Sequence, residues 1–294
     1  MLSFFKVDVL TGVLTGPTAT LSAPDTPEGV AFVGNFMYVA NAEGSVSAYQ
    51  LGGSFPGVTL TGVPGSPFPA GTAPTAVAAN GLGFVYVADS GSSDIWAYSA
   101  DPTTGMLTPL PGSPFPAGTD PGSIQVVDLN PVYGGPTYAF VTNAGSDDVS
   151  VFSTNSDGSL TPVPGSPFPA GSRPSSVTAE YNLFPPPFVF VANSKSNDIS
   201  VFRVDPVSGE LTPVAGSPFP ADGTDPVSIA AGGGEFAGFG GPNGAPFLYV
   251  ANAGSNNMSV FSINLSTGAL TPVSGSPFAV GKSPQAVVYV EVPK

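Results

Sequence analysis

The chain has 294 residues, 20 acidic and 6 basic, with a formal net charge of −14 and a pI near 4.1. So few cations exclude nucleic acid and anionic membrane surfaces as partners, because both require basic patches. Histidine and cysteine are absent, which removes imidazole catalysis, thiol chemistry and disulfides. No run reaches the roughly 18 unbroken apolar residues of a membrane helix, so membrane insertion is not expected.

From the N-terminus, LSFFKVDVLTGVLT reads as two strands and matches ISVFRVDPVSGELT further along. Five full units follow, over 28–74, 75–121, 122–174, 175–226 and 227–284. The fourth shows the pattern best: SSVTAE, FVFVANS, NDISVFRVD and GELTPVAGSPFP. Within each run Val, Ile, Phe and Tyr alternate with small or polar residues, and Gly, Pro, Asn, Asp and Ser fill the gaps, the signature of half-buried strands joined by turns. Gly and Pro number 38 and 35; they fall at the turns, while 21 Phe and a 41% hydrophobic content supply a core. Residues 285–294, from SPQAVVYVEVPK, match only a first strand.

Four strands in each repeat of about 50 residues predict an all-β fold, a single β-propeller over 1–294. The expected count is six blades of four-stranded antiparallel sheets. The closing blade takes its third and fourth strands from 1–27 and its first from 285–294, with its second strand missing. Either the chain starts late, which also fits the lack of a visible signal segment, or another segment or molecule supplies the strand, a route to self-association.

GSPF occurs at Gly65, Gly112, Gly165, Gly216 and Gly275, with spacings of 47, 53, 51 and 59 residues. It is expected to close the outermost strand, where proline removes a donor from an exposed edge, with Gly and Ser setting the bend into the next unit. The phenylalanines Phe68, Phe115, Phe168, Phe219 and Phe278 are expected to pack between neighbouring units.

The second strands read MYVAN, VYVAD, AFVTN, VFVAN and LYVAN, each followed by a near copy of SxxxSVF, as in VTNAGSDDVSVF. Over nearly the whole chain this resembles the YVTN-repeat propellers and the lactonase-like, 6-phosphogluconolactonase-type propeller family. The resemblance implies the blade type; its members include surface-layer proteins, secreted proteins and sugar-lactone hydrolases. Members of the lactonase-like group usually have seven blades, and the resemblance implies a catalytic histidine with a glutamate and arginines in a central cleft. This chain has no histidine, and its only arginines are Arg173 and Arg203, the latter on a third strand facing solvent.

Without histidine, hydrolysis needs a carboxylate of raised pKa or a metal-bound water. Neither is visible in the sequence. SFFK (Ser3 to Lys6) sits on a strand, and AGGGEFAGFGGPNG (231–244) lacks a following Lys or helix, so neither is a catalytic or phosphate-binding motif. No cofactor and no metal are expected.

Propeller topology places the loops from second to third strands and those entering each first strand on one face. The incoming positions Glu28, Asp120, Arg173, Asp225 and Gln285 are therefore candidates for a channel-mouth site holding a cation or a sugar. Asn41, Asp89, Asn143, Asn193 and Asn252 end the second strands and are expected to cap the following turns. The adjacent Asp94, Asp147, Asp148 and Asp198 lack calcium-loop spacing. On the opposite face, longer loops carry Tyr133, Tyr181, Phe184, Phe236 and Phe239, a candidate surface for a protein or carbohydrate partner.

Only 9% of residues are charged, which leaves a surface of Ser, Thr, Asn, Gly and Pro of the kind common in exported proteins. An extracellular, cell-surface or periplasmic location is expected. Two functions follow: a non-catalytic interaction module for a protein or glycan, or a lactonase-like hydrolase of a sugar lactone using the acidic channel mouth.

Overall fold

Each repeat forms one antiparallel sheet in chain order, because its apolar runs are too short for helices and alternate with the period of a pleated strand. The computed structural model describes residues 2–7, 14–21, 26–53, 59–129, 135–180, 187–232 and 246–288. The fourth repeat runs Pro174–Glu180, Phe188–Asn193 and Asp198–Val204, followed by an outer strand in two pieces, Leu211–Pro213 and Phe219–Pro220. Both pieces pair with Asp198–Val204. The sheets over 27–69, 74–116, 121–169 and 226–279 repeat this order, and no helix occurs among the described residues. The fold is an all-β propeller type.

The chain divides into two compact units. The first holds the sheets of 27–69 and 74–116 and the antiparallel pair Leu2–Val7 and Leu14–Leu21. The second holds the other three sheets. Residues 284–288 form no strand, although the Val287 N–H donates to Ser228 Oγ at 3.1 Å. Residues 289–294 of the expected closing strand lie outside the described residues.

Second strands are covered on both faces, which explains their nearly unbroken apolar sequence; all six residues of FVFVAN are buried. In the first unit Tyr38, Val46 and Phe68 of one sheet share a core with Val77, Val87 and Tyr98 of the next. In the second unit Phe140 and Phe168 pack with Val177, Val191 and Phe202, and Phe190 packs with Leu248 and Phe261. In the second, fourth and fifth repeats the turns between third and fourth strands start with a side chain that binds its own backbone, as where Asp205 Oδ1 accepts from the N–H groups of Val207 and Ser208 at 2.8 and 2.9 Å. They end in a left-handed glycine seated on an aromatic ring of the preceding sheet. At Gly209 (φ 75°) a Cβ would stand 2.4 Å from the Tyr138 ring, and the Tyr138 hydroxyl donates to Val207 O at 2.7 Å.

The structure corrects the expected place of GSPF. The motif lies inside the outer strand rather than at its end, as an excursion between the two pieces. The serine fills the gap. Its Oγ accepts the third-strand N–H that the interrupted ladder leaves free: Ala48 to Ser66, Ala97 to Ser113, Val151 to Ser166, Val201 to Ser217 and Val260 to Ser276, each at 2.9 Å. The Ser–Pro peptide is cis in all five copies. The following Phe resumes the strand; Phe68 and Phe168 are buried between sheets, Phe219 packs against the core beside it, Phe115 is half-buried, and Phe278 is 41% exposed.

Candidate functional site

The channel-mouth residues fall at the entrances to first strands. Asp120, Arg173 and Asp225 each precede a proline and take left-handed backbone, with φ of 55°, 55° and 53°. Thr26, Ala73 and Ser283 do the same. The carbonyls of Asp120, Arg173 and Asp225 accept the N–H of the residue after the second-strand asparagine of the same sheet: Ala144, Ser194 and Ala253 at 2.8–2.9 Å. Their own N–H groups are caught by the preceding sheet where that contact lies within the second unit. Asp147 Oδ1 accepts from Arg173 and Asn197 Oδ1 from Asp225, both at 2.7 Å. These entrances thus use their backbone to join strands. Glu28 and Gln285, one residue past their prolines, are exposed, and Gln285 Nε2 binds Ser283 Oγ at 2.8 Å. Tyr133, Tyr181, Phe184, Phe236 and Phe239 lie outside the described residues.

The asparagines ending the second strands do not cap the turn backbone, which corrects that expectation. They are fully buried, and their amide Nδ2 donates across to side chains of the third strand. Asn143 reaches Asp148 at 2.6 Å and Ser150 at 2.9 Å; Asn193 reaches Asp198 at 2.7 Å and Ser200 at 2.9 Å. Asn252 reaches Asn257 and Ser259, and Asn41 reaches Ser45 and Ser47. In all four, Oδ1 is buried without a hydrogen-bond partner. The position therefore offers acceptors to a donor and no donors to an acceptor.

The second repeat breaks the rule. Asp89 takes the asparagine position, Asp94 stands directly opposite in the ladder, and Trp96, the chain's only tryptophan, replaces the serine. Asp89 is fully buried and neither carboxyl oxygen has a partner. Burial, and secondarily the Asp94 charge, push its pKa up to about 8. The N–H groups of Gly71 and Trp96 oppose this weakly, without reaching hydrogen-bond geometry. Gly71 covers the buried carboxyl so closely that a Cβ there would lie 2.8 Å from Asp89 Cγ and 2.4 Å from Ser92 Oγ.

Over this spot opens a pocket of about 640 Å³, formed by the loops 42–44, 70–73 and 92–94 with Trp96 and Pro114. Its volume is that of a small-molecule site. Glu43 and Asp94 are its ionisable groups, and none of its lining residues is Lys or Arg. Asp94 is fixed by a relay: Thr72 N–H donates to Ser92 Oγ at 3.1 Å, and Ser92 Oγ donates to Asp94 Oδ1 at 2.9 Å. Trp96 is half-buried and stacks on Tyr98, ring centroids 6.0 Å apart. Sequence reasoning placed Asp89 and Asp94 in this region but passed over Trp96; aligning the repeats column by column exposes it as a tryptophan in a serine column.

No family model and no curated protein matches the sequence. Solved structures do share the fold. The periplasmic gluconolactonase of Pseudomonas aeruginosa is 18% identical, with 99% of this chain and 95% of that one covered and a TM-score of 0.57. Virginiamycin B lyase from Staphylococcus aureus is 16% identical over 91% and 75%, with a TM-score of 0.53. A functionally unknown protein from Desulfotomaculum acetoxidans is 16% identical over 95% and 80%, with a TM-score of 0.66. At these identities the likeness assigns the fold alone: this chain is an all-β propeller whose structural neighbours include a lactonase.

Proposed function

We propose that the protein is a lactonase-like hydrolase of a neutral sugar lactone or a related small ring ester, acting in the pocket of the second repeat. The observation that carries this reading is the meeting of Asp94, Glu43 and Trp96 around an open pocket of about 640 Å³, wide enough to admit a sugar ring, at the one repeat among the five that departs from the asparagine and serine pattern. The indole offers an apolar platform for the C–H face of a sugar ring, and the carboxylates accept from its hydroxyls. Absence of Lys and Arg from the lining favours a neutral ring over a phosphorylated one, since a phosphate beside two carboxylates is repelled.

In the hydrolysis, Asp94 takes a proton from water as the water oxygen bonds to the lactone carbonyl carbon. The ring C–O bond then breaks, and the departing ring oxygen takes the proton back from Asp94, leaving an open-chain hydroxy acid. The fold likeness to a gluconolactonase agrees with this reading.

The test is hydrolysis of D-glucono-1,5-lactone followed by pH-stat against the uncatalysed rate. The reading expects turnover that Asp94→Asn lowers by about 10²-fold or more, the usual contribution of a general base, with the unfolding temperature kept. Wild-type protein no faster than buffer overturns the hydrolase; binding without turnover would make the chain a non-catalytic carbohydrate module instead.

A further inference from the structure

We propose that Asp89 is a positioning residue that keeps a proton at neutral pH and donates it to Asp94, doing with a carboxylic acid what an asparagine amide does in the four sister repeats. The inference rests on the Asp94 pocket of the proposed function and does not require turnover.

The geometry comes from the repeats themselves. In two sisters the residue at this position donates to an aspartate five residues on, Asn143 to Asp148 and Asn193 to Asp198. Asp89 and Asp94 have the same spacing and the same ladder register. An ionised carboxylate has only acceptors. Placed where four asparagines leave their Oδ1 without a donor, it would be buried beside a like charge, with only the N–H groups of Gly71 and Trp96, short of hydrogen-bond geometry, to offset it. A protonated carboxyl supplies the one donor that the position calls for. With serine replaced by Trp96, Asp94 is the acceptor remaining across the strand.

The titratable groups facing Asp89 are few. Asp94 and the Tyr98 hydroxyl come from the third strand, and the Tyr98 hydroxyl, whose own pKa burial raises further, donates to Pro69 O. The first strand sets Pro74 opposite Asp89, and the covering loop contributes Gly71 and Thr72, none of them ionisable. Glu43 lies on the pocket wall from the neighbouring sheet. Asp89 thus holds its proton at neutral pH, with Asp94 across the ladder as the acceptor. Loss of that proton as pH rises through about 8 sets two charges against each other and loosens Asp94 at the pocket wall.

Two readouts test this without a ligand. The folded protein keeps a proton that an unfolded aspartate, with pKa about 3.9, has shed. Stability from this group is therefore full below about 3.9 and is lost as pH rises towards about 8, above which it levels off. Wild-type unfolding temperature is expected to fall over that window more than that of Asp89→Asn, which carries the same donor and cannot ionise. Emission from Trp96 is expected to titrate with a midpoint near 8 in wild type, to lose that transition in Asp89→Asn, and to titrate at lower pH in Asp94→Asn, which removes the like charge. A wild-type emission curve flat through this range, or a transition that persists in Asp89→Asn, overturns the proposal. A lactone assay that fails while these titrations succeed would remove the hydrolase and leave the carboxyl pair standing.

Discussion

The second and fourth repeats have the same strands, the same broken outer edge and the same serine plug, yet they treat one buried position in opposite ways. In the fourth, Asn193 closes a satisfied donor set on Asp198 and Ser200, and nothing is left to do chemistry. In the second, Asp89 faces Asp94, and a tryptophan opens onto a pocket where the serine would be. The comparison teaches that a repeat fold can host a site by altering two columns while its backbone pairing stays the same.

The largest effect should come from breaking the satisfied side of the comparison. Asn193→Ala removes the amide donor from Asp198, leaves Ser200 Oγ with the Gly171 N–H alone, and opens a cavity. We expect a loss of about 2–4 kcal/mol in urea unfolding, in the range for orphaned buried polar groups with lost packing. Asn193→Asp should cost less at acidic pH than at alkaline pH, since it recreates the Asp89 arrangement.

Next in size is the reverse exchange. Asp89→Asn should stabilise the protein by about 1–3 kcal/mol at alkaline pH and by less at acidic pH, because it restores a neutral donor. The double change Asp89→Asn with Trp96→Ser gives the second repeat the sister pattern. It should fold, and it should lose lactone turnover in the pH-stat assay.

The serine plug is common to both repeats and should respond alike in each. Ser217→Ala and Ser113→Ala each leave one third-strand N–H without its acceptor, at an expected cost of about 1–2 kcal/mol by thermal or urea unfolding. The smallest effect belongs to the entrances. Arg173 is exposed and left-handed, so Arg173→Gly relieves backbone strain at the cost of chain entropy, and stability should stay level or rise by about 0.5–1 kcal/mol.

Much of this architecture was legible from residue order. Runs such as FVFVAN and NDISVFRVD announced strands because burial on one or both faces leaves a direct imprint on hydrophobic alternation. The role of GSPF was not, since a proline that ends a strand and one that rides an excursion within it read the same. Whether Ser217 plugs a ladder depends on where the chain returns at Phe219, and the sequence does not carry that. The asparagine spacing to Asp198 and Ser200 was visible, but the direction of the hydrogen bond came only with the register. Asp89 and Trp96 stand out in an alignment of the repeats. Their pocket does not, because Glu43 and the 70–73 loop reach it from the neighbouring sheet.

Because Trp96 is the single tryptophan and lies in the pocket wall, its emission reports directly on occupancy. The most direct measurement is a titration of that emission with D-glucono-1,5-lactone at mildly acidic pH. A saturable change that disappears in Asp94→Asn is the predicted result; emission unmoved by the lactone at any concentration would contradict the assignment of this pocket as the site.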